Sequence, residues 1–286
     1  MLDHPLQDIE DWVVLFSTNN PPVLRVTRRR IEEMRQDIDR VDARELARVI
    51  LQDPIMTVRV LSFIQPIHGK SLQHDITTIA SAVMMMGIHP FFNHFSDLNT
   101  IEEMLKGEDP HALLGILKII RRAQRAADYA QDWAIWRYDI SMEEVRIAAL
   151  LHDLAEILVW SFAPKLGLAI HNMQVAYPTM RSADAQATIL GMTFQDIQLA
   201  LCRAWHLPQL LLNLIDDENA GQERVRNVSY AVRLARHSAN GWDDPALPDD
   251  YRDIGELLNL TPEAVRQRLG LEPMPALSGT DEDAPA

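Results

Sequence analysis

The sequence predicts an all-α protein, and three observations carry that reading. Ala, Leu, Ile, Met, Gln, Glu and Arg are abundant while only 11 of 286 residues are glycine, which favours helices and leaves little for tight hairpins. Nearly every segment spaces its apolar residues with helical period. No strand-like alternation longer than about four residues is bounded by turn signals. Together these predict roughly 12 to 15 helices.

In chain order, Asp42 with Glu45 has the form of a capping box and opens a helix to Leu51. Asp53-Pro54 starts the next, with Pro54 at a tolerated first-turn position and Ile55, Val58, Val60, Leu61 and Ile64 giving it an apolar side. Thr77 to Met86 reads as a helix rich in small residues and methionine, stopped by Gly87. Ser141 with Glu144 is a second capping box, opening one strong helix from Met142 to Trp160. Thr193 with Asp196 opens a helix to Trp205, and Pro208, Pro248 and Thr261-Pro262 mark further starts or turns. The polar, breaker-rich Lys106 to Pro110 suggests a boundary, and Pro273 to Ala286 has the composition of a disordered tail.

Composition narrows the function. The chain is 47% hydrophobic, which excludes wholesale disorder. Its net charge of −14, from 27 Lys+Arg against 41 Asp+Glu, disfavours nucleic acid and anionic membranes as main partners, because both are gripped through Lys and Arg. A single cysteine, Cys202, forbids an intrachain disulfide and a cysteine-rich zinc site. Met1 to Pro5 lacks the basic and apolar regions of a secretory signal. The longest apolar stretch, Ile147 to Pro164, is broken by His152, Asp153 and Glu156, short of the ~20 residues a membrane span needs. A cytoplasmic location is expected.

One constellation could carry chemistry. On a helical projection Ile147, Leu150, Leu151, Leu154, Ile157 and Leu158 form a core stripe, while Ala149, His152, Asp153 and Glu156 fall on the other side. An adjacent imidazole and carboxylate suit a divalent metal, but a catalytic metal needs three or more protein ligands. Leu150 to Leu158, reading LLHDLAEIL, resembles the "LLHDIGKL" segment of the HD superfamily of metal-dependent phosphohydrolases. The run from Ala43 to Leu61, with its Asp53-Pro54, resembles the opening of the HDOD domain, Ile76 to Ile88 is similar to its small-residue helix, and Ala204 to Pro208 to its "W-x-LP" turn. The resemblance spans residues 20 to 240, in the right order.

The resemblance implies an HD-domain-like helical bundle with an additional N-terminal helical lobe. The expected organisation is a helical extension over 1–17, the N-terminal lobe over 18–106, the HD-like lobe over 107–240, a helical segment over 241–272 and the tail over 273–286. It also implies a bacterial signalling module that does not hydrolyse, and the residues agree. The leading His of an HD enzyme should fall at residues 120–123, where Arg121-Arg122 stand. Val232 stands where the distant Asp should be, and Asp216 to Asn219 where relatives often carry a His pair. The usual "NS" after the "DP" helix reads Gln65-Pro66.

His152 and Asp153 are therefore read as a vestigial metal pair, with Arg121, Arg122 and Glu156 as metal-replacing or pocket residues. A guanidinium there would supply charge and fixed donors to the carboxylate. No cofactor is expected. The alternative is a metal-dependent phosphohydrolase using a reduced site around His152-Asp153. Partners are expected in trans, since no receiver, kinase, GGDEF or EAL segment is recognised: a signalling protein, a small ligand, or a second copy in a homodimer. His68, His74, His89 and His94 lack metal-ligand spacing, and His171 and His206 are third ligands only if the fold brings them to His152. The basic cluster Arg25, Arg28, Arg29, Arg30 and Arg35 reads as a solvated face pairing with Glu32, Glu33 and Asp37. Met84 to Met86 reads as a buried helix end and Cys202 as a buried, inert thiol.

Overall fold

The computed structural model describes residues 1–68 and 75–271. The Pro273 to Ala286 tail, His74 and the His68 side chain lie outside what is described. The described residues form seventeen α-helices and three short 3-10 turns, with no β-strand. The helices are α1 (Ile9–Thr18), α2 (Arg25–Gln36), α3 (Ala43–Ile50), α4 (Pro54–His68), α5 (Ile79–Met86), α6 (Ile88–His94), α7 (Ile101–Met104), α8 (Pro110–Trp136) and α9 (Met142–Leu151). They continue as α10 (Leu154–Phe162), α11 (Pro164–Ala176), α12 (Ser182–Leu190), α13 (Phe194–Ala204), α14 (Gln209–Ile215), α15 (Glu223–His237), α16 (Leu247–Leu258) and α17 (Pro262–Arg268). The count exceeds the expected one because α6, α7, α14 and α17 are short and because the expected Met142 to Trp160 helix is two helices.

Several start and stop signals act as read. The Asp42 carboxylate accepts from the Glu45 amide at 2.7 Å and caps α3. Thr193 and Asp196 form a reciprocal capping box at α13. Gly87, at φ +85°, ends α5 in a conformation that L side chains rarely adopt. Asp53 does more than open α4. Wholly buried, it accepts from the Ile55 and Met56 amides through Oδ1 and from the Leu24 amide through Oδ2 at 2.8 Å, tying the α1–α2 connection to α4. Gln65, at the departure from the family pattern, donates to the Ile76 carbonyl at 2.7 Å.

The Ser141–Glu144 capping box does not form. The Ser141 side chain makes no cap bond. Glu144 instead accepts from the Thr77 hydroxyl at 3.0 Å, and Glu143 from the Ile79 amide at 3.0 Å, so the first turn of α9 holds the start of α5. Two further expectations are corrected. Met84 and Met85 are exposed, because only Ile79, Ala82 and Val83 of α5 turn inward. The basic cluster pairs partly as expected, Arg28 with Glu32 and Arg29 with Glu33 one turn on. Arg28 also reaches Glu103 of α7 at 2.7 Å, and Asp37 pairs with Arg40 instead.

The long helix α8 packs along α9 and α15, and this trio frames the site. Most of α9 and nearly all of α10 is buried. No single described helix is long and apolar enough to cross a membrane.

Candidate functional site

The chain breaks its helix at His152-Asp153. Leu151 ends α9, Asp153 stands at the N-terminus of α10, and the break turns both side chains toward α8 and α15. Gln198 of α13, buried in the core, holds the break open. Its amide nitrogen donates to the Leu151 carbonyl at 2.8 Å and its oxygen accepts from the Ala155 amide at 2.8 Å. It thereby satisfies one orphaned group from each helix end, which would otherwise be left unpaired in an apolar interior.

Arg122 fills the space before this turn. Its Nε and Nη2 donate to Asp153 Oδ2 at 2.9 and 2.6 Å, and Nη2 also donates to Glu156 Oε2 at 2.5 Å. Arg236 of α15 approaches Asp153 Oδ1 at 3.4 Å. His152 lies 3.5 Å from Asp153 Oδ1 through Nδ1, and its Nε2 faces Asp217 Oδ2 across 3.5 Å, an ion-pair separation without a hydrogen bond. Asp217 also accepts from the Ser229 hydroxyl. Three cations thus ring a carboxylate whose side chain is only 7% exposed.

The charges follow from this arrangement. Burial alone would raise the Asp153 carboxyl, but Arg122, His152 and Arg236 hold it well below the usual carboxylate range. Burial works to lower the His152 imidazole, yet the Asp153 and Asp217 carboxylates outweigh it and push it up to about 9. Asp217 is lowered in turn, its burial overcome by His152. Arg122, desolvated but clasped by Asp153 and Glu156, binds its proton more tightly than a free guanidinium.

Of the residues singled out in the sequence, His152, Asp153, Arg122 and Glu156 are brought together. Arg121, one position around α8, is exposed and stands apart. Val232 is buried in the core, and the residue one turn later, Arg236, delivers a positive charge to Asp153. His171 faces Trp160, with ring centroids 6.5 Å apart, and His206 is exposed, so neither joins His152. Cys202 is buried, and that burial pushes its thiol up to about 12. Asp217, Arg236 and Gln198 were missed as site residues. The only sequence signal for Asp217 was its place in the acidic Asp216 to Asn219 stretch.

These donors do not fit a divalent metal. Asp153 Oδ2 is already capped by a guanidinium at 2.6 Å. Both ring nitrogens of His152 already face carboxylate oxygens at 3.5 Å. Among the described residues no group of three or more His, Cys, Asp or Glu is placed to hold a metal ion.

Beside Arg122 and Glu156 opens a cavity of about 510 Å³, running along the Leu114, Gly115 and Lys118 face of α8 and bounded by α11 and Arg236. Trp160 of α10 is wedged between two glycines. A Cβ on Gly115 would lie 2.2 Å from its ring and one on Gly167 2.6 Å away. Only glycine at both positions lets α8 and α11 close on the indole.

Fold and site together define an all-helical protein with a buried His152-Asp153 turn whose carboxylate is ringed by side-chain cations. The HDOD domain family model matches residues 22–220. The chain belongs to the HDOD domain family. Among solved structures it is similar to a response regulator, MmoQ, from Methylococcus capsulatus str. Bath, at 17% identity over 87% of this chain and 97% of that one, with a TM-score of 0.65. It is also similar to a virulence factor from Campylobacter jejuni subsp. jejuni, at 18% identity over 93% of each chain, TM-score 0.60. At these identities the likeness is one of fold. No curated protein matches the chain.

Proposed function

We propose that this HDOD protein is a non-catalytic bacterial signal-transduction module that acts by binding a partner protein or a small ligand. The observation that carries the reading is Arg122, clasped to Asp153 at 2.6 to 2.9 Å in the place where an HD enzyme needs its leading histidine. The cavity beside it supports a ligand role: about 510 Å³ falls within the range of small-molecule sites, and it combines an apolar wall with a few polar groups. Lys118 contributes a cation to that cavity and makes no ion pair among the described residues. Such a module receives and passes signals in trans, as the response-regulator description of its Methylococcus fold neighbour suggests.

The test is metal stoichiometry with a hydrolysis assay. The purified chain is incubated separately with Mn²⁺, Fe²⁺, Zn²⁺ and Mg²⁺, desalted, and bound metal per chain is counted by elemental analysis. Hydrolysis of p-nitrophenyl phosphate and of its bis ester is then measured in each metal. We expect no stoichiometric metal and no turnover above background. A tightly bound metal that disappears in His152→Ala, together with turnover lost in Asp153→Asn, would overturn the non-catalytic reading.

A further inference from the structure

A second polar cleft, far along the chain from Asp153, is formed where the end of α1, one face of α4, the end of α6 and Trp205 meet. Its volume is about 200 Å³. Arg59 lies in it, half-buried. One Nη1 proton goes to the Pro21 carbonyl at 3.1 Å and the guanidinium sits 5.7 Å from the centre of the Phe95 ring. Among the described residues its side chain has no carboxylate partner: Asp53 and Asp97 influence it at a distance, but neither forms an ion pair with it. The half-buried guanidiniums of Arg122, Arg137, Arg146 and Arg233 rest on carboxylates, and that of Arg125, which does not, is held by Tyr129 and Ser238 through three hydrogen bonds. A partly desolvated cation without a counter-charge is costly, and its fork is shaped to take two oxygens side by side.

The rest of the cleft specifies what those oxygens are attached to. Phe63, Phe95 and Trp205 supply aromatic walls, and the His94 ring lies tilted against Phe63 at 3.7 Å between centroids, with no side-chain hydrogen bond among the described residues. Burial, aided by Arg59, holds His94 below the usual imidazole value, so it stays neutral near pH 7. Arg59 is then the single charge facing the space. One positive charge balances a carboxylate, whereas a phosphate dianion would find no second cation. We propose that the cleft around Arg59, Phe63, His94 and Trp205 binds a small monocarboxylate with an aromatic or branched apolar body. This site is separate from the cavity beside Arg122 and does not depend on its role.

Benzoate tests the proposal by isothermal titration calorimetry on the full chain, with benzamide and inorganic phosphate as comparators. The expected result is saturable 1:1 binding of benzoate and at least about tenfold weaker binding of benzamide, the loss of one charge-assisted contact. Arg59→Gln should weaken benzoate by a similar factor, and Arg59→Lys by less. The His94 ring proton signals, followed by NMR against pH, should titrate at higher pH in benzoate, because the ligand cancels the charge of Arg59. Equal affinity for benzoate and benzamide, tighter binding of phosphate, or a His94 titration unmoved by benzoate would each overturn the proposal. None of these comparisons requires the Arg59 variants to fold.

Discussion

At the scale of single residues the site is one buried carboxylate balanced by several side-chain cations. The charge of Asp153 is met by Arg122, Arg236 and protonated His152. Removing Arg122 would leave the Asp153 and Glu156 carboxylates facing a cavity without the guanidinium that bridges them. Arg122→Ala should destabilise the fold by about 2–4 kcal/mol, as loss of one partner of a buried pair does. A denaturant midpoint unchanged at constant slope would show the clasp to be idle. The His152 imidazole makes a second prediction. Its folded value, about 9, lies above its ordinary 6.5, so its contribution is fully present below pH 6.5 and is lost as pH rises toward 9. That contribution is on the order of 3 kcal/mol at most. The carboxylates act oppositely: Asp153 and Asp217 are lowered, so their stabilisation holds above the ordinary carboxylate range and fades in acid. Melting temperature against pH should therefore fall on both sides of a plateau, and His152→Gln should flatten the alkaline limb alone. An alkaline limb identical in the variant would remove His152 as its source.

At the scale of elements, the break between α9 and α10 is what makes a site at all. A continuous helix would carry Asp153 around with the helical twist and leave no turn for α8 to address. Gln198 holds the two ends apart with one side chain. Gln198→Leu keeps the volume but strands a buried carbonyl and a buried amide. We expect a loss of about 2–3 kcal/mol and faster hydrogen exchange at the Ala155 amide than elsewhere in α10. Uniform acceleration across α10 would mean that Gln198 supports the helix generally and not the break. The break was illegible in the sequence for a physical reason. Leu150, Leu151, Leu154, Ala155, Ile157 and Leu158 are all buried, so apolar periodicity runs straight through the turn and neither Gly nor Pro marks it. The helix starts at Asp42, Asp53 and Thr193 were legible because a cap is a local bond between neighbours in sequence. The Ser141 signal failed because Glu144 found a better partner in Thr77, a contact across 67 positions that no local pattern records. Arg122 was legible as one of two candidates, and the choice between Arg121 and Arg122 waited on which face of α8 turns inward. Asp217, Arg236 and Gln198 reach the site from distant helices, and only the fold shows it.

At the scale of the molecule, one apolar cluster runs from Trp12 in α1 to Val265 in α17 and passes through every long helix between them. The expected boundary near residues 107–110 falls in a real turn, with Gly107 at φ +95° and Asp109 capping α8 through the His111 amide. Yet polar contacts cross between the halves on both sides of it. Glu143 and Glu144 hold Thr77 and Ile79, Trp205 donates to Ser17 at 2.8 Å, and the first residues of the chain return to α10, where the Leu2 amide donates to the Phe162 carbonyl at 2.9 Å. A shared core of this kind couples the halves, because unfolding either one exposes the apolar face of the other. We therefore expect a single cooperative transition in urea, with far-ultraviolet circular dichroism and tryptophan fluorescence giving coincident curves. The double variant Glu143→Ala/Glu144→Ala should lower the midpoint while keeping the curves together. Two resolved transitions in the wild-type chain would mean that the turn at 107–110 separates independently folding units, and that a signal arriving at one of them need not reach the site around Asp153.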